Sequence, residues 1–367
     1  MELIHQCNKS GNQVMLIRGF GSERDDAEAE LLRAGVPLAL SDRAIWAALH
    51  PGLPSKFLLA RDASGQACGG VAIEEVKSRA LPGHLIFKVK RFGSGLPTPV
   101  CRVLLQALAA LARKVPRILR LQVNVFSRDS RADIEAILKE LGFAEVRPPS
   151  SYRHTLVIDL NPTEDEIFAS LDAGCRNKIR KTIKKSLQSL VIDDPAYADR
   201  LRELQQEALD RTDGQVHAVD WQDILKMSKQ HPHLSRVFGL FLGEDTAPEK
   251  MAAFTWVLMN GDHGEYRAAG STRQIEAPAP LGYLPAWETI RYAKTMGAVW
   301  FDMGGVTLEG ADENALEGIS RFKRAFSRNV VEIGSEWAME PAPAKARIAT
   351  VVSLGASRLR NLIGKRR

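Results

Sequence analysis

The sequence predicts a mixed α/β protein built as two domains in tandem, and three observations carry that reading. The chain has 367 residues, more than one ordinary domain holds and comfortable for two. Short strand-like and helix-like segments alternate along it, and their order in the second half partly repeats that of the first. Between the halves stands Pro148-Pro149-Ser150-Ser151, a composition that marks a boundary or hinge. With 45% apolar and 26% charged residues, each half can bury a core, and the composition is that of a globular chain.

In the first half, residues 14–17 are a short apolar run and read as a strand. Residues 23–34 start acidic and carry apolar side chains at helical spacing. Residues 43–49 form a second short helix, with Asp42 in position to cap it. Three strand-like segments follow at 56–61, 67–76 and 85–89, separated by turns at Ser64-Gly65 and Pro82-Gly83. Residues 100–114 form a long apolar helix, 119–126 alternate as a strand, and 131–141 form a helix that Gly142 ends. Strand, two helices, three meandering strands, helix, strand, helix, strand is the element order of the GNAT acyltransferase fold. The run Ile137-Leu138-Lys139-Glu140-Leu141-Gly142-Phe143 resembles the last helix of that fold, where a glycine turn feeds the last strand. An ordinary helix end in another α/β protein gives the same local pattern.

The second half reads as a strand at 155–159 and helices at 164–170, 176–190, 196–209 and 221–229. Strands at 237–242, 251–259 and 265–270 come next, the last two joined across Asn260-Gly261-Asp262, a strong hairpin signal. A helix at 284–296, a strand at 299–302, a short helix at 319–326 and a closing strand at 330–333 complete it. The expected organisation is two tandem GNAT-like domains: 1–150 on the acceptor side, 151–340, then a basic tail, 341–367.

Several classes of function are excluded. A net charge of +6 permits an anionic partner without demanding one. Cys7, Cys68, Cys101 and Cys175 are scattered, without CxxC spacing or a histidine at a zinc-finger interval, so no disulfide scaffold or metal is expected. His231-Pro232-His233 has no acidic or cysteine partner at a useful spacing and reads as a surface loop. The start of the chain lacks a signal-peptide core and no stretch of eighteen apolar residues occurs, so a cytoplasmic protein is expected. No P-loop, Gly-x-Ser-x-Gly or HExxH pattern is present.

The least ordinary segment is Arg176-Asn177-Lys178-Ile179-Arg180-Lys181-Thr182-Ile183-Lys184-Lys185, in which six of ten residues are basic. On a helix, Cys175, Ile179, Ile183 and Leu187 form an apolar stripe at four-residue spacing, with Arg176, Arg180 and Lys184 on one flank and Lys178, Lys181 and Lys185 on the other. Like charges four apart repel. Phosphates nearby would relieve that repulsion, and a solvated surface helix is the other reading.

Here a resemblance becomes specific. Asn161-Pro162-Thr163, a short helix and then Arg-Asn-Lys-Ile-Arg-Lys resemble the start of the second domain in the FemABX family. Two further stretches match in order. One is Gly282-Tyr283-Leu284-Pro285-Ala286-Trp287, then Gly297, then Phe301-Asp302-Met303-Gly304-Gly305. The other is Gly318-Ile319-Ser320-Arg321-Phe322-Lys323-Arg324-Ala325-Phe326. The likeness runs from about residue 55 to 335, strong in the second half and architectural in the first. It implies an enzyme that moves an amino acid from aminoacyl-tRNA onto an amine of a cell-envelope (peptidoglycan-type) precursor peptide, with no cofactor. It also implies that Lys323, the lysine of a Phe-Lys-basic-x-Phe motif, stabilises the oxyanion formed when the amine attacks the ester. A wet lysine between two core phenylalanines is the alternative. Arg324 follows it as a substrate-binding candidate, with Arg176, Lys178, Arg180, Lys181 and Lys184 of the basic helix. Tyr266 and Tyr283 line the cleft or belong to the core, and Asp302 caps a turn or faces substrate.

The donor is read from the loops. An acyl-CoA enzyme presents backbone N–H groups to a pyrophosphate at a helix N-terminus. Residues 273–282 contain Pro278 and Pro280 and no glycine pair, and proline removes the donors such a loop needs. Arg91-Phe92-Gly93-Ser94-Gly95 falls one residue short of the pattern and is an anion loop or a turn. In the family the corresponding loop lies beside the peptide substrate, which makes Arg91 a substrate-binding candidate. Aminoacyl-tRNA is therefore the expected donor. Acyl-CoA or acyl-carrier protein is the alternative, and a non-catalytic RNA- or membrane-binding protein is a third reading. No sustained heptad occurs in 193–231, so the long helical arm of many family members is not expected. In the tail, Ile348, Val351, Val352, Leu359 and Leu362 share a helical face. That face touches anionic lipid at the inner membrane or RNA, or the tail is a solubilising end.

Overall fold

The structure is a computed structural model that describes residues 1–7, 11–19, 21–49, 55–185, 187–211, 219–308, 314–345 and 348. It divides into two compact units. One is Met1–Ser151 together with the chain from Ile333 onward, and the other is Tyr152–Glu332.

The first unit contains β1 (Glu2–Gln6), β2 (Gln13–Arg18), α1 (Ser22–Arg33), α2 (Ala44–Ala48), β3 (Ser55–Arg61), β4 (Ala67–Lys77), β5 (Leu85–Phe92), α3 (Thr98–Lys114), β6 (Ile118–Phe126), α4 (Arg131–Glu140) and β7 (Ala144–Glu145). Strands β2 to β5 form an antiparallel meander. Helix α3 then crosses over so that β6 lies parallel to β5. Helix α3 is apolar around most of its circumference, and ten of its residues are buried against the sheet. Asp42 does not cap α2. It lies in a 3-10 turn whose carboxylate is turned inward, where Oδ1 accepts the Ala72 N–H at 2.8 Å. Burial pushes its pKa up to about 7.

The second unit contains β8 (His154–Asp159), α5 (Glu164–Ser170), α6 (Ala173–Lys184), β9 (Gln188–Ile192), α7 (Ala198–Asp210), α8 (Trp221–Gln230), β10 (Ser235–Phe241), β11 (Met251–Asn260), β12 (His263–Ser271), α9 (Tyr283–Thr295), β13 (Trp300–Gly305), α10 (Asn314–Arg324) and β14 (Val330–Glu332). Its sheet runs β14-β8-β13-β12-β11-β10-β9, antiparallel except for β12 with β13. Strand β11 is buried along its whole length, and Gly261 at φ +73° makes the turn into β12. Thr163 and Glu166 close a capping box at the start of α5.

Strand β15 (Gly334–Met339) returns to the first sheet and inserts between β6 and β7. It pairs with β6 from Gly334↔Phe126 to Met339↔Leu121. The second unit therefore ends at Glu332, and the expected boundary at 340 is corrected: residues 333–340 extend the first unit's sheet. Apart from 341–345 and 348, the tail, with Val351, Val352, Leu359 and Leu362, lies outside the described residues.

The basic helix also differs from expectation. It stops at Lys184 rather than 190, and the chain turns into strand β9. Cys175, Ile179 and Thr182 are buried, whereas Ile183 is 58% exposed. Successive steps of four residues drift 40° each on a 3.6-residue helix, so by Ile183 the stripe has rotated off the core, and i, i+4, i+7 tracks it instead.

Candidate acyl-transfer site

The site begins where a ladder stops. Strands β12 and β13 pair at His263↔Trp300, Gly264↔Phe301 and Glu265↔Asp302 and at no later position. Beyond that point β12 continues alongside β11 to Ser271, and Gly305 of β13 pairs with Thr155 of β8. Backbone groups that face such a parting lose their ladder partners and must be satisfied in another way.

Lys323, in the last turn of α10, fills the parting. Its Nζ donates to the Gly305 carbonyl at 2.8 Å and lies 5.9 Å from the centre of the Tyr266 ring. Gly304 holds φ +75°, and a Cβ there would come within 3.1 Å of Nζ and 3.3 Å of the Tyr266 carbonyl oxygen. Lys323 is only 7% exposed. Burial lowers its pKa from 10.5 to about 8, against the opposing pull of the Asp302 and Glu265 carboxylates. On either side of it, Phe322 and Phe326 fix the backbone: their rings meet at 5.3 Å, and each packs on Tyr283, at 5.0 and 5.8 Å. Lys323 is therefore a buried ammonium, not a wet lysine.

Asp302 is completely buried beside it. Its carboxylate accepts the Tyr152 hydroxyl at 2.6 Å, the Gly304 N–H at 2.8 Å and the Thr155 hydroxyl. Thr155 Oγ1 also reaches the Gly304 carbonyl at 2.9 Å. Tyr266 is enclosed, and burial raises its phenol above the usual range.

The other side of α10 lines a cavity of about 720 Å³, together with the start of α6 and of α9. Its walls include Lys178, Tyr283, Phe322, Arg321, Arg324 and Arg328. Lys178 Nζ is 2.8 Å from the Tyr283 hydroxyl, and Arg324 Nη2 donates to the Thr307 carbonyl at 2.6 Å. Four cations and two aromatic faces thus line the cavity, with Asp172 as an acidic neighbour. Such a surface suits phosphates and a planar ring.

The structure accordingly brings Lys178, Tyr283 and Arg324 together at the cavity, and Lys323, Tyr266 and Asp302 together at the parted strands. The remaining candidates lie elsewhere. Arg176 caps the end of α5 by donating to the Ala169 carbonyl at 2.7 Å and to that of Leu171. Arg180 is exposed, 5.2 Å over the Phe168 ring. Lys181 and Lys184 are exposed and, among the described residues, form no ion pair. Arg91, in the first unit, holds φ +48° with its guanidinium 3.6 Å over Phe126. Sequence reasoning missed Tyr152 and Thr155, which reach Asp302 across 150 and 147 residues, and also Glu265 and Arg328. Only Asp302-Met303-Gly304-Gly305 carried a signal, an acid ahead of two glycines. Among the described residues no three His, Cys, Asp or Glu side chains group as metal ligands, and no helix is long and apolar enough to cross a membrane.

The segment from β12 through α10 falls inside the stretch that matches a known protein family. Residues 243–353 match the FemAB family. The FemAB-like stretch contains Tyr266, Tyr283, Asp302, Lys323 and Arg324. No curated protein sequence matches the chain. Among solved structures, FemX superposes with a TM-score of 0.72 at 14% identity, over 91% of this chain and all of FemX. L-PGS from Bacillus licheniformis follows at 0.50 and 14%, over 92% of this chain and 98% of that one. The C-terminal domain of a putative lysylphosphatidylglycerol synthetase from Agrobacterium fabrum gives 0.50 and 13%, over 91% and 97%. At these identities the likeness is one of fold. The chain shares the fold of FemX, and each of its two units has an antiparallel meander leading into one helix-crossed parallel pair.

Proposed function

We propose that this chain is an aminoacyltransferase that moves an amino acid from aminoacyl-tRNA to an amine of a cell-envelope precursor peptide. The observation that carries the reading is the buried Lys323 ammonium at the parting of β12 and β13, one helix face away from a cationic, aromatic cavity. An RNA 3′ end suits that cavity: phosphates meet Arg321, Arg324, Arg328 and Lys178, and the terminal base stacks on Tyr283 or Phe322. The amino-acid ester then lies toward Lys323. The acceptor amine attacks the ester carbonyl, a C–N bond forms, and negative charge builds on the carbonyl oxygen, where the ammonium stabilises it. The C–O bond to the ribose breaks, and the proton lost by the amine ends on the departing hydroxyl. The FemAB match supports an envelope peptide as acceptor.

The exposed cations of α6, Arg180, Lys181 and Lys184, extend the positive surface from Lys178 and suit the phosphates of a longer RNA. No cofactor is needed beyond the donor, and the reaction belongs in the cytoplasm, where charged tRNA is made. The test is donor dependence with purified protein, a charged tRNA pool and an envelope precursor fraction. Ribonuclease should abolish transfer of labelled amino acid. Transfer that survives ribonuclease and requires a coenzyme A or carrier-protein thioester would replace this reading with thioester-dependent N-acyl transfer.

A further inference from the structure

We propose that Asp302 is a positioning residue for Lys323: its carboxylate locks the Gly304–Gly305 turn so that the Gly305 carbonyl seats the lysine ammonium in the gap between β12 and β13. The proposal rests on the acyl-transfer reading of Lys323, and its physical content can be measured without it.

Asp302 is held from three directions, by the Tyr152 and Thr155 hydroxyls and the Gly304 N–H, and the bond to its own turn comes from two residues on. That last contact is an Asx-type turn. It holds Gly304 at φ +75°, a conformation glycine adopts at no steric cost. The single Thr155 hydroxyl proton lies between the Asp302 carboxylate and the Gly304 carbonyl, 2.9 Å away, which ties the turn to β8. The next carbonyl, that of Gly305, then faces the gap and receives Lys323. Gly305 itself is pressed against Tyr152, since a Cβ there would fall 2.6 Å from the tyrosine Cβ. Among the described residues Lys323 makes this single hydrogen bond, although an ammonium has three donors. Its position is therefore set by the turn.

Charge acts in the same direction. Asp302 and Glu265 are the carboxylates that favour the protonated lysine, and Asp302 exerts the larger pull. Arg267 stands 3.9 Å from Glu265 and weakens its hold, whereas the Tyr152 and Thr155 hydroxyls and the Gly304 N–H that hold Asp302 are neutral. Arg324, the neighbour of Lys323 on α10, is turned to the Thr307 carbonyl.

The experiment is trace labelling of the full chain with acetic anhydride across pH, read at the Lys323 peptide by mass spectrometry. The wild-type midpoint is expected at about 8, the value set by the burial and charges above. Asp302→Asn keeps the shape and should lower the midpoint by at least about one pH unit, because the ammonium loses its stronger counter-charge. Glu265→Gln should lower it by less. A purely architectural aspartate would reduce thermal stability and leave the midpoint where it was, and that result overturns the proposal. Should Asp302→Asn not fold, Tyr152→Phe decides. It removes one hydrogen bond to Asp302, retains the charge and keeps the ring that packs on Gly305, so kcat should fall roughly tenfold with KM unchanged, since the hydroxyl removed is the group that holds Asp302. A Phe variant with wild-type kcat also overturns it. A wild-type protein inactive in transfer removes the proposed function and leaves the labelling result intact.

Discussion

Replacing Lys323 with methionine separates stability from activity. The side chain is 7% exposed, and folding lowers its pKa from 10.5 to about 8. Keeping the charge buried at neutral pH therefore costs roughly 3 kcal/mol. Methionine preserves the length of the stem and removes that cost. Against it stands the Gly305 carbonyl, which loses its donor, at about 1–3 kcal/mol. The balance is a variant whose melting temperature equals or exceeds that of the wild type. The pH dependence gives a further check. A lysine with a depressed pKa destabilises the fold below about 8 and ceases to do so as pH rises toward 10.5. The stability difference in favour of Lys323→Met should thus be largest below pH 8 and shrink above it. Activity moves the opposite way. Loss of one preorganised donor to a developing oxyanion lowers turnover by about 10²–10³. Donor affinity should stay near wild type, because the cavity is lined by the neighbours of Lys323, from Arg321 to Ala325, and not by Lys323 itself. Calorimetry across pH and single-turnover transfer of labelled amino acid from a charged tRNA pool measure the two effects. Lys323→Arg should restore little, because a planar guanidinium does not fit the point that Nζ occupies. A methionine variant that turns over at the wild-type rate would refute the catalytic assignment. One that unfolds would refute the energetic argument.

Arg180→Glu combined with Lys184→Glu should weaken RNA binding with a reduced salt dependence and leave the fold intact, because both side chains are exposed; filter binding of tRNA at several salt concentrations measures it. Gly304→Ala places a methyl 3.1 Å from the Lys323 amine at a φ of +75°, so transfer should slow by roughly tenfold or more with donor binding unchanged. In the first unit, folding raises the Asp42 pKa to about 7 from 3.8, so its contribution to stability is present below about pH 4 and is lost as pH rises through 7. Asp42→Asn should remove that loss, about 4 kcal/mol at most, seen as a flatter curve of melting temperature against pH between 4 and 7.

The elements legible in the sequence are those with a strong period or clear punctuation. Helix α3 was visible because it is apolar nearly all round, and the β11–β12 hairpin because Asn260-Gly261 allows the turn. Three strands were not. β1 and β9 are edge strands whose side chains are largely exposed or half-buried, so they lack the alternation that marks a strand. β15 is buried on both faces between β6 and β7 and alternates no better. Its destination is a long-range pairing that local pattern does not encode, which is why the sequence pattern carries the second domain on to 340 while the structure ends it at Glu332. At the site, the motif around Lys323 was readable, but its partners were not. Tyr152 stands beside the boundary prolines with nothing to distinguish it, and Thr155 reads as an ordinary strand residue. Arg176 looked like its neighbours on the basic helix, yet its guanidinium is committed to carbonyls at the end of α5.

The two units share an architecture and differ at the feature the proposed chemistry uses. In the first unit the parallel pair β5 and β6 slips in register after Val89↔Val123 and then closes again at Phe92↔Val125. The residue that absorbs the slip is Arg91, at φ +48°, with its guanidinium laid over Phe126 at the end of β6. A non-glycine residue in that region carries strain, which the re-formed ladder and the stacked cation offset. The backbone groups that a parting would free are thereby paired. In the second unit the corresponding strands do not pair after Glu265↔Asp302, and the positive-φ residue there is a glycine on the other strand of the pair, Gly304 of β13, which makes room for Lys323. A closed ladder leaves no polar backbone to recruit a substrate or a buried ammonium, and an open one requires something to fill it. This difference, rather than the fold common to both units, is what supports the proposal that acyl transfer takes place in the second.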